Sequence, residues 1–501
     1  MRLNVKQILF YTGGRYLVEP IDAGELLQGI SWDSREIEAG CLYVALPGER
    51  VDGHAYVGAA LRAGARAALV TDRPDDAAML LAREMGAAII EVPNTAHAIT
   101  DIAREWRHHL KGRVIGLTGS TGKTTTKNLV RDVVAAAHTV VATKANQNNE
   151  LGVPKTLLSA DPETEVVVVE MGMRGRGQIE ELCEFVRPDW GVITNIGESH
   201  IELLGSRENI ARAKAELLAA LPAAGVAILN ADDDMTPFAW ELSGLEDRGG
   251  ALVCFDGSGD AHPLPAAADD EDALPAAAVV WAEDVSLDDQ GRPRFTLCAC
   301  GFDAPAGADE ACKTHRVACA LNLRGMHNVA NACAAAAVGC RLGMSLELVA
   351  EALAEAETEA GRQEVLQARG GFTVVNDAYN ANPDSMRASL KTFCALAVPG
   401  KRIAVLGDMG ELGDYAPACH AGIGELAATL PLDRLVCVGE LASIIADAAE
   451  KAGMDPHRIV RATALSEVLG DLDVCVEPGD AVLVKASHFM GLERVVEGLV
   501  N

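Results

Sequence analysis

Short apolar runs recur along the chain, each closed by a glycine- or acid-bearing turn and followed by an Ala/Leu-rich stretch of helical period. Over residues 1–110 the runs "CLYVAL", "AALV" and "AAII" alternate with helical stretches, which predicts a small α/β domain ending near "REWRHHLKGR". From Val114 the order becomes apolar strand, glycine loop, helix. It recurs through "EVVVVEMG" (165–172), "DWGVITNIG" (189–197) and "GVAILNADDD" (225–234). Runs that are apolar throughout belong to strands covered on both faces, so these predict a doubly wound, mostly parallel sheet. A third, Rossmann-like unit follows from "FTVVND" (372–377), "RIAVLGD" (402–408), "DRLVCVGE" (433–440) and "DAVLVKAS" (480–487). Residues 240–315 shift to Ala, Pro, Gly and Asp and read as an acidic insertion, with a few strands ("AVVWAEDVSL", "PRFTLCAC") among solvated loops. The expected organisation is α/β throughout, with an N-terminal domain over 1–110, a central domain over 111–325 and a C-terminal domain over 326–501.

Composition narrows the function classes. A hydrophobic content of 49% supplies sizeable cores, and an aromatic content of 4% makes them aliphatic. The net charge of −29 argues against general binding of nucleic acid or anionic membranes, although a local basic pocket for a phosphorylated small molecule remains compatible with it. No stretch approaches the ~18 apolar residues of a membrane span, and "MRLNVKQILFYTGG" lacks the apolar core of a secretory signal. The thirteen cysteines show no paired C-x-x-C spacing. They are expected to be reduced thiols of a cytoplasmic protein, not a zinc site or disulfide framework.

In open α/β sheets ligands sit beyond the carboxyl ends of the strands, and four groups of the central domain fall there. "VIGLTGSTGKTTTKN" (114–128) lacks the first glycine of G-x-x-x-x-G-K-[ST], since Leu117 holds that place. Its loop from Gly119 through Ser120, Thr121 and Gly122 can still cradle phosphate on backbone N–H groups and the following helix start. Lys123 can neutralise the β/γ charge, and the hydroxyl of Thr124 can reach magnesium. Glu170, closing a valine strand, reads equally as a magnesium ligand or as an ordinary strand-terminal acid. His200 in "NIGESH", taken alone, reads as a structural or surface histidine. Lys214 lies three, four or seven positions from Ile210, Ala211, Leu217, Leu218 and Leu221, on the apolar face of its helix. Either its amine snorkels to water or it is paired or chemically altered, because burying an ammonium is costly.

Together, "GSTGKTT", "EMG" after a valine strand, "NIGESH" and "ARAKAE" resemble, in order, the core of the Mur ligases, ATP-dependent amide-forming enzymes of peptidoglycan precursor synthesis. The resemblance implies a complete shorter loop, G-[TS]-x-G-K-[TS]-[TS], running from Gly119 to Thr125. It implies one magnesium on Thr124 and Glu170, and a second held by Glu170, His200 and a CO2-derived carbamate on Lys214. "RGMHNVANACAAAA" (324–337) resembles the segment whose Asn331 contacts adenine. "GRQE" (361–364) would place Arg362 near the γ-phosphate or ribose, and Asp377 would bind ribose. "SWDSREIEAGCLYVALPGERVDGHAY" (31–56) resembles the domain that holds a UDP-sugar, with Ser34 and Arg35 as ligands.

Within the family, "KANQNNELGVP" (144–154), "NDAYNANPDSM" (376–386) and "LGDMGELG" (406–413) most resemble members that join D-Ala-D-Ala to UDP-N-acetylmuramoyl-tripeptide. That likeness implies substrate contacts at Asn148, Asn149, Tyr379, Asn380, Asn382, Lys485 and Ser487; the chain is expected to be a monomer, and its acidity argues against nucleic acid as a partner. "NANP" stands where the relatives adding a third amino acid carry D-N-P-R, and the "DSR…DGH" block sets the chain apart from folylpolyglutamate synthetases. A P-loop switch or kinase would leave His200, Lys214 and the third domain unexplained. One departure is Lys485-Ala486-Ser487-His488 where the family usually has K-G-S-R, which exchanges a permanently charged fork for an imidazole.

Overall fold

Three sheets, one per expected domain, organise the computed structural model of the chain, which describes residues 1–48, 51–259, 274–302 and 313–500. The first has the order Arg15–Val18, Ala88–Glu91, Ala67–Val70, Leu42–Val44, Ile30–Ser31, parallel except at the Arg15–Val18 edge. The third runs Glu364–Gln367, Thr373–Asn376, Ala481–Lys485, Arg402–Gly407, Arg434–Val438, Ile459–Ala462, again with one antiparallel edge. Residues Glu49 and Arg50 of the N-terminal motif lie outside the described residues.

The central sheet has nine strands. Arg113–Thr118 lies between Val166–Glu170 on one side and Trp190–Ile193 on the other, all parallel. The chain leaves the Arg113–Thr118 strand toward one side of the sheet and later returns to the other. This opens the crevice in which doubly wound sheets bind ligands. All five residues of Val166–Glu170 are buried, as an unbroken apolar run requires.

Two expectations change here. The strands expected between 240 and 315 form, but as a continuation of the central sheet: Val226–Asn230 is followed outward by Ala251–Asp256, Ala278–Leu287, Pro293–Cys300 and His315–Ala320, the last two pairings antiparallel. The composition shift that suggested an insertion comes mainly from 260–273 and 303–312, which lie outside the described residues. In addition, the helices His327–Arg341 and Leu346–Glu355 lie beyond the boundary expected at 325 yet pack on the central sheet. Val329, Ala334, Val349 and Leu353 share one core with Leu117, Val130 and Val168. The run of small residues lets the first of these helices approach closely; a Cβ on Gly339 would stand 2.7 Å from Val133.

The cysteines also depart from expectation. Among the described residues eleven are free thiols, mostly buried, as expected, but Cys300 is disulfide-bonded. Spacing along the chain does not reveal which thiols a fold brings together.

His420 is wholly buried in the third domain. Its Nε2 accepts the Met409 N–H at 3.0 Å, so its Nδ1 carries the proton and donates to the Ala416 carbonyl at 2.7 Å. Burial depresses its pKa and keeps it neutral. Below the unfolded histidine pKa of ~6.5 only the unfolded chain gains this proton, so stability falls with pH there. Thermal melts of the parent and His420→Gln from about pH 8 to about pH 5.5 should show the parent's advantage shrinking below about pH 6.5. An advantage that does not change with pH would count against this role.

Candidate active site

The strand Arg113–Thr118 delivers the chain into a tight loop whose shape is set by its neighbours. Gly122 has φ +75°, and a Cβ there would meet Asn331 Oδ1 at 2.5 Å, so no larger residue fits. The Asn195 backbone carbonyl accepts the Ser120 N–H at 2.9 Å, and its side-chain oxygen accepts the Thr121 N–H at 2.9 Å. Thr194 Oγ1 donates to the Thr121 carbonyl at 2.6 Å. The loop's shape is thus held by hydrogen bonds from the protein itself. Lys123 arches back over it and donates to the carbonyls of Gly119 (2.8 Å) and Ser120 (3.4 Å). Burial lowers the Lys123 pKa, opposed by the Glu170 carboxylate.

Glu170 is buried at the carboxyl end of its strand. Its Oε1 accepts from Asn148 Nδ2 at 2.8 Å and Thr124 Oγ1 at 3.2 Å, and Arg362 Nη2 donates to that same threonine oxygen at 3.0 Å. Glu170 Oε2 is buried with no hydrogen-bond partner. An orphaned carboxylate oxygen costs about 1–3 kcal/mol or more, a deficit that a hard cation removes. Among the described residues no cluster of three or more His, Cys, Asp or Glu could hold a metal by itself. The donor set therefore fits an ion that completes its shell with phosphate oxygens and water, as magnesium does.

His200 begins a short helix with φ +65°, and its Nδ1 lies 2.6 Å from Glu411 Oε2, a carboxylate of the third domain. Lys214, on the helix Arg207–Ala219, is 1% exposed and has no hydrogen bond or ion pair among the described residues. Desolvation, with repulsion from Lys123 second, lowers its pKa well below the usual lysine value, while Asp233 opposes this. The inward-facing alternative is therefore the one adopted. The amine does not line the open cavity, however, and neither does Gly119.

Third-domain groups complete the site. Asp377 Oδ2 is paired with Lys485 Nζ at 2.8 Å and with Gln363 Nε2 at 2.9 Å. Lys485 also donates to the Asn380 carbonyl at 3.0 Å. The Arg362 guanidinium lies over the Tyr379 ring at 4.2 Å, and His488 stands 6.0 Å from the same ring. Asn382 caps the helix Pro383–Ala395 and donates to Ser199 Oγ at 2.6 Å, joining the third domain to the central one. Ser487 holds the Gly410 N–H and the Ala381 carbonyl.

Between the central and third domains, with one edge on the helix Thr95–Arg107, lies a cavity of about 1420 Å³. It exceeds the ~300–1,000 Å³ of most small-molecule sites and so has room for a nucleotide and a second large substrate. Ser120, Thr121, Gly122, Lys123, Thr124, Thr125, Glu170, His200, Asn331, Arg362 and Asp377 all border it. So do Asn148, Asn149, Tyr379, Asn380, Asn382, Lys485 and Ser487. Asn331 reaches it from behind the loop, with its amide bonded to Thr126 (3.0 Å) and Asn328 (2.9 Å). Asn149 caps the Gly152 N–H at 3.0 Å. Ser34 and Arg35 stand apart from the cavity, and Arg35 forms a two-pronged pair with Asp33.

Sequence reasoning missed Asn195, Arg174, Gln363 and Glu411. Asn195 and Glu411 lie inside quoted stretches, "NIG" and "LGDMGELG", but nothing local marks their partners, which are reached only by folding.

Comparison with known proteins agrees with this arrangement. Family models match residues 26–107 (Mur ligase family, catalytic domain), 117–248 (Mur ligase middle domain) and 361–488 (Mur ligase, glutamate ligase domain). The chain is 37% identical to the UDP-N-acetylmuramoyl-tripeptide–D-alanyl-D-alanine ligase of Mycobacterium tuberculosis, covering 100% of this chain and 98% of that protein. It is 33% identical to the Bacillus subtilis protein of the same name, covering 100% and 99%. A crystal structure of MurF from Acinetobacter baumannii superposes with a TM-score of 0.80 at 30% identity, covering 100% of this chain and 99% of that one. MurF ligase from Thermotoga maritima in complex with ADP gives 0.71 at 26% identity, covering 94% and 96%. With matches to all three domains and relatives aligned end to end, this chain belongs to the Mur ligase family.

Proposed function

We propose that the protein is an ATP-dependent ligase that joins D-Ala-D-Ala to UDP-N-acetylmuramoyl-tripeptide, giving the pentapeptide precursor of peptidoglycan with release of ADP and phosphate. The observation that carries the reading is that one cavity gathers the phosphate loop, the Thr124–Glu170 pair and the third-domain groups Arg362, Asp377 and Lys485. Relatives named for this reaction match along their whole length.

The tripeptide's terminal carboxylate attacks the γ-phosphorus of ATP, and ADP leaves. The amine of D-Ala-D-Ala then adds to the carbonyl carbon of the acyl phosphate. The tetrahedral intermediate expels phosphate, and the amine proton passes to solvent or a nearby base. Lys123 leaves the loop carbonyls to meet the β/γ oxygens, and Arg362 adds a second fixed charge, so the carboxylate approaches a less repulsive γ-phosphate. Asn148 orients Glu170. Asn382 on Ser199 keeps the third domain seated over the site and water away from the acyl phosphate. Thr124 and Glu170 would hold one magnesium, and Glu170, His200 and a carbamate on Lys214 a second; these ions would supply charge neutralisation at the transferred phosphoryl group. Asp377 would bind the ribose once nucleotide draws it from Gln363 and Lys485, and Asn331 would face the adenine.

Ser34 and Arg35 are assigned to the UDP end, on a domain that has to swing to join the rest. The protein is assigned as a monomer. The use of ATP supports a cytoplasmic reaction, and no helix among the described residues is long and apolar enough to cross a membrane.

Phosphate release should require ATP, UDP-N-acetylmuramoyl-tripeptide and D-Ala-D-Ala together. Release that is indifferent to the dipeptide would refute the assignment.

A further inference from the structure

Gln363 lies where the chain enters the third domain, one residue before the strand Glu364–Gln367, and its backbone is in the left-handed region at φ +55°. A glutamine takes that conformation at a cost and keeps it only where the surroundings impose it. The residue is 8% exposed and borders the cavity. Both protons of its amide nitrogen are used: Nε2 donates to Asp377 Oδ2 at 2.9 Å and to Ser389 Oγ at 2.7 Å. The Gln363 backbone N–H also reaches Asp377 Oδ1, at 3.3 Å. The carboxylate fixes which way the amide is turned, because the reverse orientation would set Oε1 against Asp377, acceptor against acceptor. The oxygen left over, Oε1, is buried and has no hydrogen-bond partner among the described residues.

We infer that Gln363 is a specificity residue for the nucleotide: its Oε1 accepts one hydroxyl of the ATP ribose while Asp377 accepts the other, so that the pair selects a ribonucleotide over its deoxy forms. Two neighbouring acceptors call for two adjacent donors. Of the parts of ATP only the ribose offers them, since phosphate oxygens accept and adenine carries a single amino group. The ribose of UDP is assigned to the other end of the molecule. A substrate ammonium is disfavoured here, because Lys485 Nζ already stands 2.8 Å from Asp377 Oδ2. When Asp377 turns toward the ribose, Ser389 still holds Nε2, and the amide keeps its orientation. An acceptor with no protein donor gives up nothing to bond a hydroxyl, whereas a deoxynucleotide leaves it orphaned. Discrimination then comes from an unmet hydrogen bond and needs no steric clash.

The inference rests on the proposed place of the ATP ribose at Asp377, and the test separates the two. Phosphate release by the full chain is followed with ATP, 2′-deoxy-ATP and 3′-deoxy-ATP, both peptide substrates being present. The parent should use each deoxynucleotide about 10–100-fold less well in kcat/KM. Gln363→Leu keeps most of the bulk without polar atoms; it should lose selectivity at one hydroxyl and keep it at the other, which still answers to Asp377. Gln363→Asn suits the left-handed backbone but is one methylene shorter, and should show the same one-sided loss. A residue that merely held Asp377 in place would instead weaken all three nucleotides together. Selectivity unchanged at both hydroxyls, lost at both, or no use of any nucleotide by either variant would overturn the inference. A parent that uses all three nucleotides alike would overturn the ribose placement itself, and this inference with it.

Discussion

Lys214→Ala should lower kcat by on the order of 10²–10³-fold, the scale set by removing one electrostatic group that acts on the transition state, and acetate or propionate should restore part of it. The amine is buried, unpartnered and repelled by Lys123, so its neutral form is favoured. A neutral amine adds to CO2 and gives a carbamate with loss of one proton. The product is an anion next to Lys123, where the ammonium had been a second cation, so the electrostatic sign of the position is corrected. A small carboxylate can enter the space left by the shortened side chain and supply the same anionic oxygens. Lys214→Met keeps the volume and removes the buried amine; it should melt no lower than the parent while being inactive, which separates chemistry from folding. Full activity of the alanine variant without added acid would sink the carbamate, as would the absence of a carbamate carbon signal in the parent under ¹³C-labelled CO2.

The second large effect is expected at Lys123. Its ammonium is held by the Gly119 and Ser120 carbonyls, so it waits over the loop at low cost and needs only to turn toward an arriving phosphate. Lys123→Met keeps the stem and loses the charge, and kcat/KM for ATP should drop by about 10²–10³-fold. Binding of the UDP-linked substrate, measured calorimetrically without nucleotide, should stay close to the parent's. Loss of that binding as well would mean that Lys123 supports the fold of the loop and not the phosphoryl transfer.

How much of this was legible in the sequence varied with the range of the interactions. The parallel strands were readable because burial on both faces leaves an uninterrupted apolar run, as in "EVVVVE". The phosphate loop was readable because glycine, lysine and threonine must follow one strand at fixed spacing. Lys214 was half readable: helical periodicity turned it inward, but only the fold shows it buried with its pKa lowered by desolvation and by Lys123. Glu411 was not readable, because its meaning lies in His200, which precedes it by 211 residues and lies in another domain. Two outer strands of the central sheet, "AVVWAEDVSL" and "PRFTLCAC", were readable, but the Ala, Pro and Asp of adjoining stretches hid that they extend the central sheet. The helices after residue 325 pack on the central sheet, a choice of surface that a run of alanines does not specify. The Asp377–Lys485 pair joined two quoted motifs that chain distance had kept apart.

The clamp of Asn331 on the phosphate loop has a consequence for how the protein is made. Gly122 is pressed against a side chain on the helix His327–Arg341, and Thr126 bonds to that same asparagine across 205 residues of chain. A nascent chain long enough to pair the central strands around Arg113–Thr118 still lacks the helix that backs their loop. During synthesis at ~5–20 residues per second, tens of seconds at most separate the emergence of the loop from that of its support. Nucleotide binding is therefore a late acquisition, reached only when most of the polypeptide has left the ribosome, and a truncated product would carry the loop without the capacity to spend ATP.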